Sequence, residues 1–233
     1  MTQLVLIPGL AADATMWQAQ LAALARWNPV VTDVHMRHDS IPAMAQALLA
    51  EHEGPLQLCG ASMGGMIAME AVRQAPERVR GLALLGTNAQ AESEDMRALR
   101  EAAIVLFQQD RVAEVIAPNV AFAFHPDNAA ALAPAYLDFV LEAGATQLIR
   151  QNRAVMARPD ARLHLREVRC PTLVLCGDAD QLTPPQCSRE IAALVPGATL
   201  VMVPRCGHML TMEQPRLVNG ALLAWLETLP SRP

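Results

Sequence analysis

The chain has 233 residues and a net charge of −5, with 52% hydrophobic and 18% charged residues. That composition supports a large core and excludes global disorder. The mild acidity gives no argument for nucleic acid, and aromatics at 3% are too sparse for base-stacking platforms.

The length suits one α/β domain, or one domain with a modest insertion. LVLI (Leu4 to Ile7) is a short apolar run stopped by Pro8-Gly9, and it predicts a strand buried on both faces. Ala12 to Arg26, with Met16, Leu21 and Leu24, has helical character. VVTDV (Val30 to Val34) predicts a second strand. Ile41 to Ala50 predicts a helix that begins past Ser40 and carries Pro42 in its first turn. LQLC (Leu56 to Cys59) is a third strand and runs directly into GASMGG. After it, Ile67, Ala68, Ala71, Val72 and Ala75 share one helical face, which Pro76 ends.

GLALLG (Gly81 to Gly86), PTLVLCGD (Pro171 to Asp178) and TLVMVP (Thr199 to Pro204) predict strands four to six. Leu217 to Leu229 is a closing amphipathic helix. Alternating strands and helices imply an α/β fold: a mainly parallel six-stranded sheet with helices on both faces. The stretch from about Ala89 to Glu167 breaks the alternation. It is Ala-rich, helical in tone and punctuated by Pro118, Pro126, Pro134 and Pro159. It reads as a helical cap insertion over residues 89–166, between two parts of one core, residues 1–88 and 167–233.

The five cysteines, Cys59, Cys170, Cys176, Cys187 and Cys206, are odd in number and have no C-x-x-C spacing, which suits reduced thiols. MTQLVLIPG has no basic region and too short an apolar run for a signal peptide. No apolar run approaches the length of a membrane span. The expectation is a cytoplasmic protein that engages neither membrane nor nucleic acid.

Within GASMGG, Gly60 to Gly64 fits G-x-S-x-G. At ordinary Gly and Ser usage the pattern arises by chance in roughly one such chain in ten, so its context must decide. Here a strand precedes it and a helix follows, the arrangement that lifts a serine onto a sharp, strained turn. Side chains at Gly60 and Gly64 would clash with neighbouring backbone. The Ser62 hydroxyl would then stand at the carboxyl end of the sheet, where open α/β sheets bind ligands, near a helix N-terminus that favours negative charge. A serine hydroxyl is a weak nucleophile and needs a base with an orienting acid. CGDADQLTPP after the fifth strand offers Asp180, and PRCGHML after the sixth offers His208. The order Ser62, Asp180, His208, each just past a strand, is the order of this architecture.

With LIPGL, GASMGG, PTLVLCGDADQLTPP and CGHMLTMEQP in place, the chain resembles the α/β-hydrolase superfamily, in particular its small capped carboxylesterases with an S-M-G-G elbow. The likeness spans about Leu4 to Asn88 and Leu165 to Leu226; the insertion is unmatched. The resemblance implies the α/β-hydrolase fold, Ser62 as nucleophile, His208 as base and Asp180 as its orienting acid. It also implies an oxyanion hole from the backbone amides of Leu10 and Met63, with no cofactor and no metal. Asp178 competes for the acid's role, and the family's G-x-x-D spacing from Gly177 favours Asp180. Many relatives have His-Gly on the oxyanion loop and His before the serine; this chain has Pro8-Gly9 and Ala61.

Other residues carry weaker signals. Leu182 and Met209, beside Leu10 and Met63, are candidates for an apolar acyl pocket, with ordinary core packing as the alternative. His125, inside the insertion, is a candidate substrate contact. DVHMRHD (Asp33 to Asp39) clusters two histidines and two acids, but it lacks metal-ligand spacing and reads as a solvated loop. His52 and His164 read as surface or packing positions, Trp17 as packing, and Cys206 as a bystander to Ser62. Arg150, Arg153, Arg158, Arg162, Arg166 and Arg169 read as a solvated helix face, or alternatively as a surface for an anionic partner such as an acyl carrier protein.

The leading expectation is a serine hydrolase acting on small carboxylic esters through an acyl-enzyme. A thioesterase, lactonase or acyl-carrier methyl esterase needs the same parts. C–C bond hydrolysis or a lyase reaction, and a non-catalytic small-molecule receptor, remain alternatives on this scaffold. Ser62 at the elbow, where Asp would form an alkyl ester, disfavours dehalogenase and epoxide hydrolase chemistry.

Overall fold

The computed structural model describes residues 2–229. Its strands are β1 (Gln3–Ile7), β2 (Val30–Val31), β3 (Leu56–Ala61), β4 (Val79–Leu85), β5 (Thr172–Gly177) and β6 (Thr199–Val203). They form one sheet in the order β2-β1-β3-β4-β5-β6, and every neighbouring pair is parallel. The helices are α1 (Gln18–Ala23), α2 (Val34–Arg37), α3 (Ile41–Glu51), α4 (Met63–Gln74), α5 (Glu94–Gln108), α6 (Val112–Asn119), α7 (Pro126–Met156), α8 (Pro185–Leu194), α9 (Leu210–Glu213) and α10 (Pro215–Thr228).

The period of two along the strands divides the core. Leu4, Leu6, Cys59, Leu85 and Leu175 face one side, where Leu222 and Trp225 of α10 pack. Val5, Ile7, Leu58, Leu84 and Val174 face the other, against Met44 and Leu48 of α3, Ile67 of α4 and Ile191 of α8. Each such fully buried aliphatic side chain contributes roughly 1.5–3 kcal/mol through its removal from water. The six-stranded parallel sheet with helices on both faces is the architecture the alternating runs predict.

Local departures have local causes. The expected helix over 12–26 is broken into α1 flanked by 3₁₀ turns. Asp13 accepts a hydrogen bond from the Thr15 N–H at 2.7 Å, and Asn28 ends the segment in a left-handed conformation (φ 49°). The expected strand over 30–34 keeps only Val30 and Val31, although Thr32 N–H still donates to Leu6 O at 3.1 Å. β2 lies at the sheet edge, where short strands suffice. DVHMRHD is not a solvated loop: Val34–Arg37 is helical and His35 is buried. α8 carries no expectation from the sequence patterns above, yet a parallel β5–β6 pair needs such a crossover. Ser40 caps α3 as expected, its hydroxyl accepting from Ala43 N–H at 3.3 Å.

From β1 the chain goes first to β2 on one side and then to β3 on the other. The loops leaving β1 and β3 therefore diverge and open a crevice at their carboxyl ends. Between β4 and β5 lie α5, α6, a 3₁₀ turn (Val120–Ala123) and α7. α7 is two helical pieces separated at Gly144, whose φ of 74° and ψ of 168° suit only glycine. Among the described residues no helix is long and apolar enough to cross a membrane.

Candidate active site

Ser62 links the end of β3 to the start of α4 with φ 54° and ψ −118°, outside the regions open to ordinary residues. Its neighbours hold that strain in place. Ser62 N–H donates to Leu85 O at 2.9 Å, and Ser62 O accepts from Gly65 N–H at 2.9 Å and from the Thr87 hydroxyl at 2.7 Å. The turn is tight enough that a Cβ on Gly64 would lie 2.1 Å from Ile7 O, and one on Gly60 would lie 2.2 Å from Gly64 O. Although Ser62 holds the N-cap position of α4, its hydroxyl does not cap the helix. It is free for another partner.

That partner is His208, whose Nε2 lies 3.0 Å from Ser62 Oγ. His208 Nδ1 lies 2.9 Å from Asp180 Oδ2 and 3.1 Å from Oδ1. The carboxylate requires the imidazole proton on Nδ1, which leaves Nε2 free to accept from the serine hydroxyl. Asp180 is itself fixed, accepting from Leu182 N–H and Thr183 N–H at 2.9 Å each and from the Thr183 hydroxyl at 2.8 Å. Burial raises the Asp180 carboxyl pKa, but His208 and the Thr183 donors outweigh it and hold the group below the usual carboxylate value. Burial likewise penalises the His208 imidazolium, yet Asp180 prevails and His208 sits above the ordinary imidazole value. Asp178 is exposed, and one of its oxygens accepts from Cys206 N–H at 3.2 Å. The structure thus brings Ser62, His208 and Asp180 together and leaves Asp178 outside. Such a chain can take a proton from the serine and return it to a leaving group.

A cavity of about 440 Å³ opens onto Ser62 and His208. Leu10, Met63, Leu182 and Met209 all line it. Leu182 is exposed, while Met209 and Met63 are buried. The N–H groups of Leu10 and Met63 have no acceptor among the described residues. The remaining wall comes largely from α5, α6 and α7, including Phe107, Ile116, Tyr136 and Phe139. Tyr136 stacks edge-on against Phe124 and Phe139, and burial raises its phenol pKa.

The helical segment also grips both site loops. Ala11 follows Leu10 with a left-handed φ of 60°, and its N–H donates to Oε1 of the fully buried Gln151 at 2.8 Å. Gln151 Nε2 donates to His35 O at 3.1 Å, and His35 Nε2 pairs with Ala12 O at 2.7 Å. On the other side, His208 N–H donates to Ala123 O at 2.9 Å. Sequence reasoning passed over Gln151, Ala123 and Thr183. Only Thr183, three residues past Asp180 on the same loop, carried a readable local signal.

His125 does not line the cavity. It caps α7, with Nδ1 accepting from Asp127 N–H at 3.2 Å. Trp17 is fully buried away from the cavity wall. Cys206 is buried, and burial pushes its thiol well up, which keeps it protonated. His164 is half-buried, with Nε2 3.2 Å from Met69 O. The arginines of 150–169 do not form one solvated face. Arg158 is buried against Glu92 at 3.0 Å, and Arg162 pairs with Asp160 at 2.6 Å.

The family model described as serine aminopeptidase, S33 matches residues 18–215. "Putative carbamate hydrolase RutD" of Serratia proteamaculans is 28% identical over 96% of this chain and 90% of its own length. Among solved structures, a thermophilic esterase from Thermogutta terrifontis superposes with a TM-score of 0.90 at 26% identity, covering 97% of this chain and 90% of that one. An enol-lactonase from Burkholderia xenovorans has a TM-score of 0.85 at 20% identity over 97% and 92% of the two chains, a likeness of fold. The chain has the α/β-hydrolase fold, is a hydrolase enzyme, and belongs to the serine aminopeptidase S33 family.

Proposed function

We propose that the protein cleaves small carboxylic esters through an acyl-enzyme on Ser62. The observation that carries the reading is the unbroken relay from Asp180 through His208 to Ser62, opening on a largely apolar cavity. Ser62 Oγ attacks the carbonyl carbon while His208 Nε2 takes its proton. The oxyanion is held by the N–H groups of Leu10 and Met63, each worth roughly 3 kcal/mol of the barrier. His208 then gives its proton to the departing alkoxide. Water, activated by the same imidazole, attacks the acyl carbon, and Ser62 leaves with the returned proton. Residues 89–166 act as a cap that shapes the acyl pocket, with Leu182 and Met209 on its floor. No cofactor takes part.

The 26% identical esterase structure supports an ester over other carbonyl substrates. The name of the Serratia relative supports a second reading, a carbamate, whose carbonyl needs the same relay. The test is hydrolysis of p-nitrophenyl esters from acetate to decanoate by wild type and Ser62→Ala, beside a carbamate of matched size. Turnover that is lost in the variant supports the acyl-enzyme, and the chain-length optimum sizes the pocket. Faster turnover of the carbamate gives the second reading precedence. No Ser62-dependent turnover of either rejects both.

A further inference from the structure

Among the described residues, Arg100 is the one permanently charged side chain lining the cavity that holds Ser62 and His208. It projects from α5, and its Nε donates to Glu92 Oε2 at 2.6 Å. Glu92 does not neutralise it alone, because the same carboxylate also meets Arg158 Nη1 at 3.0 Å. Glu92 and Arg158 side chains are each only 4% exposed, so two guanidiniums share one buried carboxylate. Asp160 and Glu190 pair with Arg162 at 2.6 and 3.3 Å, and among the described residues no carboxylate lines the cavity. The cavity side of this cluster is therefore left with an excess positive charge.

The guanidinium is also aimed. Its Nη1 donates to Oδ1 of Asn152 at 2.7 Å, and Asn152, on the second half of α7, is buried and held by its own bond to Leu148 O at 2.8 Å. Nη2 makes no hydrogen bond among the described residues. A cation that only shares a carboxylate with a second cation is left partly compensated beside an apolar wall, and an anion in the cavity would complete it. A fixed, forked donor suits a carboxylate.

We propose that Arg100, oriented by Glu92 and Asn152, binds a carboxylate of the substrate, so that the preferred esters carry a second, ionised carboxyl group, as monoesters of linear dicarboxylic acids do. The inference rests on the ester-hydrolase reading above. The charge is invisible to the relay, which works on any ester; it acts through binding and selects among them.

The test compares monomethyl succinate, glutarate and adipate with the corresponding neutral dimethyl esters, following methanol release. For at least one length, wild type should favour the monoanion by roughly tenfold or more in kcat/KM, and the ratio should shrink as salt rises. In Arg100→Met the ratio should fall to about one, and Arg100→Lys should restore part of it. A wild type with no preference at any length overturns the proposal, as does a preference that survives Arg100→Met. Turnover of the dimethyl esters separately tests the ester reading. Calorimetry of wild type with the free dicarboxylates needs neither turnover nor a folded variant. Binding of one of them, weakened by salt and absent for the matching diamide, supports the site; no binding of any overturns it.

Discussion

The N–H of Ala11 donates to the side-chain oxygen of Gln151 at 2.8 Å, across 140 positions of sequence. Ala11 sits next to Leu10 in a left-handed conformation, so this bond from the helical segment sets the course of the proposed oxyanion loop. Gln151→Leu would orphan Ala11 N–H, at about 1–3 kcal/mol, and would remove one of the two donors to His35 O, which keeps Gln147 Nε2 at 3.2 Å. Ester turnover should fall at least tenfold in kcat with KM changed far less, alongside a lower urea midpoint. Unchanged kcat in folded Gln151→Leu would show that Leu10 is positioned by other means.

Ser62 stores strain that only its function requires. Glycine adopts its φ of 54° and ψ of −118° without a Cβ penalty, whereas alanine keeps the penalty. Ser62→Gly and Ser62→Ala should both be inactive on esters. Ser62→Gly should be the more stable by about 1 kcal/mol, or about 2–4 °C in melting temperature for a domain of this size. Equal melting temperatures would place the strain elsewhere.

The two acids on the β5 loop differ in what they touch. Asp180→Asn should lower kcat about 10³- to 10⁴-fold, since the imidazole loses the carboxylate that fixes its tautomer. Asp178→Asn removes only an exposed charge, its amide oxygen still able to accept from Cys206 N–H, and should leave turnover within about twofold. Equal losses in the two variants would reject the assignment.

The pH profile carries the same relationship. His208 accepts the serine proton only when neutral, and Asp180 raises it above the ordinary 6.5. In wild type the acid limb of kcat/KM should therefore lie above pH 6.5, activity falling as pH drops and the imidazole becomes charged. The limb should move to lower pH in Asp180→Asn, because the group that favours the imidazolium is gone. A limb that stays in place would mean that another group governs it.

Two glycines give opposite expectations. Gly64→Ala would place a Cβ 2.1 Å from Ile7 O and 2.7 Å from Pro8 O, backbone atoms that cannot turn aside, and should cost at least about 3 kcal/mol or prevent folding. Gly220→Ala meets nothing within 4 Å in the exposed body of α10 and should add about 0.5–1 kcal/mol. Urea midpoints of the two variants measure both.

What the sequence by itself determined is what depends on near neighbours. Runs such as LVLI and LQLC determine strands buried on both faces, because period two and β-branched or apolar content act within a few residues. GASMGG determines a sharp turn, because Gly60 and Gly64 are needed on either side of Ser62. Asp180 and His208 were legible because each sits just past a strand in an order this architecture repeats. What only the tertiary structure decided depends on partners distant in sequence. The G-x-x-D spacing favoured Asp180 over Asp178, but which of the two reaches His208 turns on the direction of one loop. The burial of His35 depends on Ala12 and Gln151, and the exclusion of His125 from the cavity depends on how α7 starts. The shortening of β2 follows from its place at the edge of the sheet. The shared carboxylate of Glu92, the bond between Ala11 and Gln151 and the charge of Arg100 in the cavity wall arise only where the segment between β4 and β5 packs back over the sheet. Local pattern sets which elements form; long-range packing sets which side chains meet.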